Sequence, residues 1–187
     1  MSDQPRTPSG HLPRLAPGFY QGDAVVFWTH TLKNRTKGWL TPTLHITFRE
    51  LMLHAAARES LLCPIYVLMP DHLHLVWMGL STKSDQRRAT AFLRPRLSRL
   101  LAPHTLQHQA HDHVLREAER KQGAFAATCA YIAENPMRAS LAESSSSWPF
   151  TGCIVPGYPD LNPLDANYWD RFWKIHNALK TRGLGNI

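Results

Sequence analysis

Three stretches of apolar and β-branched residues predict the strands of a sheet. Asp23–Lys33 (DAVVFWTHTLK) is rich in valine, threonine and aromatic residues, which favour strands. Leu62–Met69 and His72–Met78 are two apolar runs joined by a Pro-Asp pair, a pattern typical of a β-hairpin. A further segment, His111–Arg116, is short enough to form either a strand or an ordered turn.

The first two predicted helices have clear signals at their ends or along their length. Thr41 is suited to cap a helix that starts at Pro42, and apolar residues then recur at helical spacing to about Glu59. A basic helical stretch follows from Asp85 to about Leu101, and Pro95 is expected to bend or split it.

Two more helices are predicted in the last third of the chain. One begins at Glu117 or Gly123 and ends at Asn135, because a residue that precedes a proline is biased away from helical geometry. The other is a short helix at Ala166–Leu179, whose aromatic residues are expected to pack on the core.

This order of elements predicts an α+β fold, namely a ferredoxin-like antiparallel sheet covered by helices. We divide the chain into a flexible basic lead-in at residues 1–17, one domain at residues 18–150, and a tail at residues 151–187. The short helix of the tail is expected to pack on the domain.

Composition narrows the class of protein. The 187 residues include 43% hydrophobic residues and carry a formal charge of +7, so we expect a folded domain with a polyanionic partner such as nucleic acid. The chain has neither an apolar run of about 18 residues nor an N-terminal signal sequence, which predicts a soluble cytoplasmic protein without a membrane partner. Three widely spaced cysteines indicate neither disulfides nor a zinc knuckle.

The first candidate for chemistry is the pair His72 and His74. Within a strand, residues i and i+2 point to the same face, so the two imidazoles are expected to project together. Two neutral imidazoles are half of a divalent metal site. Taken alone, so short a pattern favours two strand histidines that only make hydrogen bonds.

The second candidate is the helix segment that contains Tyr131 and Asn135. These residues are four apart and therefore share a helix face, about 6 Å apart at Cβ. Asn135 could complete a metal site with the two histidines, and Glu134 is a further possible ligand. The alternative is that Tyr131 packs on the core and Asn135 merely ends the helix.

Arginines are the candidate contacts to a nucleic acid backbone. Arg87 and Arg94 are seven apart and share one helix face, where they could bind phosphates together with the neighbouring Arg88. Arg116 and Arg138 flank the proposed site. The alternative for the helical arginines is an ordinary solvated basic surface.

Three segments together resemble a known family. Tyr66–Trp77 (YVLMPDHLHLVW), His113–Glu117 (HVLRE) and Tyr131–Leu141 (YIAENPMRASL) are similar to motifs of the REP-associated tyrosine transposases, which belong to the single-tyrosine HUH (IS200-like) transposases. The similarity runs in order from about Gly18 to Phe150. Met137 and Ser140 stand where the family more often has Val and Gly, and the first strand lacks the family's usual aromatic-His start.

The resemblance implies the HUH endonuclease fold and a function. His72 and His74 would be the metal-binding pair, Asn135 would stand where a third ligand is found, and Tyr131 would be the nucleophile. The protein would then be a single-stranded DNA endonuclease and strand transferase, dependent on Mg²⁺ or Mn²⁺, that acts on hairpin-forming repeats through a 5′-phosphotyrosine intermediate. We expect a monomer, with a dimer as the alternative.

Two other functions remain open at this point. The chain could be a domesticated, non-catalytic DNA- or RNA-binding protein on the same fold. It could also be a metal phosphodiesterase in which Tyr131 is only structural.

Overall fold

The computed structural model describes residues 14–184, so most of the predicted lead-in lies outside the described residues. The strands are β1 (Val25–Thr31), β2 (Leu61–Met69), β3 (His72–Gly79), β4 (His111–Val114) and β5 (Thr151–Ile154). The α-helices are α1 (Pro42–Arg58), α2 (Gln86–Leu100), α3 (Glu117–Lys121), α4 (Ala124–Arg138) and α5 (Tyr168–Leu184). The strands form one five-stranded antiparallel sheet in the order β4-β1-β3-β2-β5, which confirms the α+β class.

Each face of the sheet has its own hydrophobic core. Trp28 of β1 and Leu75 of β3 point to the face that α1 and α2 cover. Val25 and Val76 of the same strands point to the opposite face, where α4 and α5 pack. Successive side chains of each strand point to opposite faces, so the sheet lies between two layers of helices.

The starts of α1 and α2 follow local capping chemistry. The Thr41 hydroxyl accepts a hydrogen bond from the Leu44 amide at 3.1 Å, which confirms Thr41 as the cap of α1. Asp85 caps α2 in the same way through the amides of Arg87 and Arg88. Pro95 does not split α2, so that part of the prediction is wrong.

The end of α4 also differs from the prediction. The helix continues through Pro136 to Arg138 instead of ending at Asn135. The amides of Ser140 and Leu141 bond back to the carbonyls of Met137 and Pro136, and Ser140 is left-handed with φ 55°. This Schellman arrangement satisfies the last carbonyls of the helix and outweighs the bias that a proline imposes on the preceding residue.

The tail contributes more than one short helix. Strand β5 pairs with β2, so a boundary at residue 150 separates this strand from the sheet to which it belongs. Helix α5 is longer than the predicted Ala166–Leu179, and its Tyr168 and Phe172 are buried against the sheet. Among the described residues, we find no helix with the length and apolar character needed to span a membrane.

Candidate active site

The paired histidines lie at the start of β3. His72 and His74 project to the same face of the sheet, as their spacing predicts, and their ring centroids are 4.5 Å apart. Their Nε2 atoms face each other at 3.0 Å. His74 is buried, whereas His72 is partly exposed.

A different residue holds the other ring nitrogen of each histidine. His72 Nδ1 lies 2.6 Å from Oδ1 of Asp71, and His74 Nδ1 lies 2.8 Å from the hydroxyl of Thr29, its cross-strand partner on β1. A carboxylate can only accept, so the His72 Nδ1–H donates to Asp71, and in the neutral form of the ring the lone pair is then on Nε2. Hydrogen bonds of this kind fix the tautomer of metal-binding histidines.

Burial and nearby charges keep the inner imidazole neutral. Burial, together with the nearby His72 and Arg35, lowers the pKa of His74 to about 3. For Asp71, burial disfavours ionisation, but hydrogen bonds from His72 and Arg35 and their charges hold its pKa below the usual value. The site therefore combines a neutral imidazole with an ionised carboxylate at neutral pH.

The donor set fits a divalent cation. Two nitrogens that bind one ion at about 2.1 Å, at a right angle to each other, are about 3.0 Å apart. The Nε2 atoms of the two histidines are 3.0 Å apart, which matches this distance. Between residues 14 and 184, no group of three His, Cys, Asp or Glu side chains is placed to hold a metal.

Tyr131 lies beside the histidines on α4. Its ring centroid is 5.7 Å from that of His74, and its side chain is 40% exposed. Phe27 of β1 contacts both rings, at 5.2 Å from His74 and 6.2 Å from Tyr131. The tyrosine is thus held at the pair while it stays accessible to a large substrate.

The other residues predicted on α4 differ in their exposure. Asn135 is buried, at 8% exposure, one turn after Tyr131. Glu134 is exposed. The role of either residue as a metal ligand stays a prediction.

Two of the predicted DNA contacts lie near aromatic rings. The guanidinium of Arg138 lies 5.5 Å from the centroid of the Tyr131 ring. Arg116 is exposed, and its guanidinium lies 5.9 Å from the ring of Phe19. Arg138 is therefore the predicted DNA contact that the structure places next to Tyr131.

The three arginines predicted on α2 do not behave alike. Arg87 is exposed, and Arg88 is 69% exposed while it pairs with Glu59 at 3.4 Å. Arg94 is partly buried, and its guanidinium donates to His30 and to the carbonyls of Gln107 and His108. It also lines one pocket together with Arg87 and Arg88, so its contact with DNA stays a prediction.

Sequence reasoning missed Phe27, Thr29 and Asp71. Phe27 and Thr29 are two residues apart on β1 and therefore lie on the same face of the sheet. Had the register of β1 against β3 been known, it would have placed both of them beside His74. Asp71 directly precedes the first histidine, but its contact with His72 depends on the shape of the turn.

Comparison with known proteins supports the fold. No protein-family model matches the sequence, and no curated protein shows significant sequence similarity to it. Among solved structures, the chain is similar to that of a REP-associated tyrosine transposase bound to a REP hairpin, with a TM-score of 0.62 and 19% sequence identity. The match covers 76% of this chain and 82% of that chain. The α+β fold is shared, and at this identity the activity has to be argued from the site.

Proposed function

We propose that the protein is a metal-dependent endonuclease and strand transferase for single-stranded DNA that uses Tyr131 as its nucleophile. The observation that carries this proposal is the pair of Nε2 atoms 3.0 Å apart with the accessible Tyr131 beside them. A histidine pair alone would suit many metal sites. The addition of an exposed phenol at 5.7 Å from His74 is what favours covalent phosphate chemistry.

His72, His74 and Asn135 would hold the cation, Mg²⁺ or Mn²⁺. When bound, such an ion polarises a phosphate and offsets its negative charge. His74 is suited to this role because it stays neutral, with a pKa lowered to about 3, and its lone pair therefore remains available. Asp71 and Thr29 orient the two rings from behind.

Tyr131 would attack the scissile phosphate directly. Its oxygen forms a bond to phosphorus while the bond from phosphorus to the 3′ oxygen breaks. The phenol proton passes to water, and the departing 3′ oxygen gains a proton, which leaves a 5′-phosphotyrosine and a free 3′-OH. Reversal with another 3′-OH joins strands, so the reaction needs no ATP.

Two neighbours of Tyr131 would assist this step. Phe27 and His74 contact its ring and restrict its position, which lowers the entropic part of the barrier. The Arg138 guanidinium, 5.5 Å from the ring centroid, would stabilise negative charge on the oxygen and on the phosphate.

The substrate class follows from charge and from the structural neighbour. The formal charge of +7 favours a polyanion, and the similar solved structure is bound to a REP hairpin. We propose single-stranded DNA with a hairpin as substrate, bound by exposed arginines that include Arg87, Arg88 and Arg116. The sequence prediction of a monomer remains part of this proposal.

Product analysis tests the proposal. The protein is incubated with Mg²⁺ or Mn²⁺ and end-labelled single-stranded hairpin oligonucleotides taken from repeats that flank its gene, and the products are separated on denaturing gels. Cleavage with one fragment attached to protein supports the transferase. Cleavage with two free fragments would indicate a hydrolase, and tight binding without cleavage in any metal would indicate a DNA-binding protein.

A further inference from the structure

A pocket away from Tyr131 lies on the same face of the sheet as the histidines. It has a volume of about 270 Å³ and is bounded by the start of β1, the end of β3, and helices α4 and α5. Val25 and Met78 line it from the sheet, and Phe125 and Trp173 line it from the helices. No role in the reaction proposed above involves these four residues.

The helical side of this pocket offers aromatic surface to solvent. Trp173 is 37% exposed and Phe125 is partly exposed, with their ring centroids 5.5 Å apart. His176 is buried, and its ring centroid lies 5.3 Å from that of Trp173. Contacts with fixed neighbours hold the indole in place, so it provides a rigid flat surface against which another ring can stack.

Cationic groups stand at the same pocket. Arg120 and Lys180 both line it. The Arg120 Nε is buried and has no hydrogen-bond partner among the described residues, although another nitrogen of this guanidinium is 3.5 Å from the Asp23 carbonyl. A buried donor without an acceptor is unfavourable, so an added acceptor oxygen would stabilise this arrangement. Aromatic rings beside cations match the chemistry of a nucleotide, with a flat base and an anionic phosphate.

The pocket is in line with the proposed catalytic site. Met78 is four residues after His74 on β3, and Val25 is two residues before Phe27 on β1. Four strand residues span about 13 Å, a distance that a few nucleotides of a single strand can cover. One DNA strand is therefore long enough to reach both places over the outside of the helices that cover this face of the sheet.

We infer that the pocket lined by Phe125 and Trp173 binds an unpaired nucleobase of single-stranded DNA, with Arg120 and Lys180 on its phosphates. The inference rests on the proposed function, since it concerns the same DNA strand a few nucleotides from the scissile phosphate. It adds a stacking site that fixes the register of the strand relative to Tyr131.

Binding and cross-linking without cleavage test this inference. Fluorescence anisotropy measures the affinity of a labelled single-stranded oligonucleotide for the full chain without metal, for Trp173→Leu and for Lys180→Gln. Loss of one stacked base is expected to weaken binding by at least about five-fold in Trp173→Leu. Lys180→Gln is expected to lower the slope of log affinity against log salt concentration by about 0.7. Tyr158→Leu, a change of another partly buried aromatic residue at a different pocket, serves as the matched control and should bind as the wild type does.

A photochemical experiment gives the position. Oligonucleotides that carry 5-iododeoxyuridine at successive positions are irradiated with the protein, and the cross-linked peptide is identified by mass spectrometry. Cross-links to Phe125 or Trp173 from one position of the oligonucleotide would support the inference.

The outcomes separate the inference from the proposed function. Equal affinity and salt dependence in the wild type and both variants, with cross-links elsewhere, would overturn the stacking site and leave the proposed function standing. A wild type that binds no single-stranded DNA would overturn both. Unchanged DNA binding together with loss of self-association in Trp173→Leu, measured by analytical ultracentrifugation, would also overturn the inference and assign the surface to contact between copies of the chain.

Discussion

The Nε2 atoms of His72 and His74 face each other at 3.0 Å while their Nδ1 atoms are engaged by Asp71 and Thr29. If the Thr29 hydroxyl donates to His74, the His74 Nε2–H can donate to His72. If the hydroxyl accepts instead, the lone pair of His74 is on Nε2, where it would be available to a cation. The hydrogen bonds behind the rings therefore matter as much as the histidines themselves.

Thr29→Val is expected to weaken metal binding. The change keeps the β-branched shape in the strand but removes the hydroxyl that orients His74. Loss of such a supporting bond typically costs about 10- to 100-fold in metal affinity. Isothermal titration with Mn²⁺ measures the effect. The matched control is Thr151→Val in β5, whose hydroxyl is buried without a hydrogen-bond partner among the described residues. Equal affinities in the two variants would contradict the role given to Thr29.

Arg87→Gln and Arg94→Gln are expected to have different effects although both residues lie on α2. Loss of the exposed Arg87 should lower the affinity for single-stranded DNA, with little change in stability. The slope of log affinity against log salt concentration should fall by about 0.7. Loss of Arg94 should instead lower the unfolding free energy by about 0.5–1.5 kcal/mol, because the carbonyls of Gln107 and His108 lose their donor. Urea unfolding and anisotropy measured on both variants check this. If Arg94→Gln left stability intact and weakened DNA binding more than Arg87→Gln, the stabilising role given to Arg94 would be wrong.

Stability should fall on acidification because of His30. Burial, together with the charges of Arg94 and Arg14, lowers the pKa of His30 to about 3. The unfolded chain takes up a proton near pH 6.5 while the folded protein does not, so stability is lost as the pH falls from 6.5 towards 3. From pH 6.5 to 5 this one group, which is fully buried, accounts for about 2 kcal/mol.

Urea unfolding at pH 7 and pH 5 measures the His30 effect. His30→Gln should lose less stability than the wild type over this interval, and His54→Gln, on the exposed surface of α1, should lose as much as the wild type. An identical loss in wild type and His30→Gln would show that His30 is not held neutral by the fold.

Ser140→Gly is expected to stabilise the protein by about 0.5–1 kcal/mol. Ser140 occupies a left-handed position, with φ 55°, where glycine is the favoured residue after a helix. The control is Ser98→Gly inside α2, where the same substitution should destabilise by a similar amount because glycine disfavours a helix interior. Thermal unfolding of both variants gives the signs, and a loss of stability in Ser140→Gly would contradict the strain argument.

Local patterns predicted much of the fold and the central part of the site. A cap such as Thr41 acts within three residues, and the common face of His72 and His74 follows from strand geometry alone. For this reason both were predictable without knowledge of the tertiary structure. The position of Tyr131 next to His74 required the resemblance to a family, because no local rule brings α4 to β3.

The features that were missed depend on distant contacts. Strand β5 has four residues, including Gly152, and becomes a strand through its pairing with β2. The hydrogen bond of Arg94 to the carbonyl of Gln107 depends on the loop that packs beside α2. Phe27 lies at the site only because of the register of β1 against β3. Pro136 is the exception, because the residues directly after it complete a stable helix end through local hydrogen bonds.

Identification of the residue that becomes linked to DNA tests the account most directly. A metal-supplemented reaction with a labelled single-stranded hairpin is digested with protease, and the DNA-bound peptide is sequenced by mass spectrometry alongside Tyr131→Phe and the control Tyr158→Phe. We expect a metal-dependent 5′-phosphate link to Tyr131, which is lost in Tyr131→Phe and kept in Tyr158→Phe. Cleavage without any link, or a link that persists in Tyr131→Phe, would contradict the proposed mechanism.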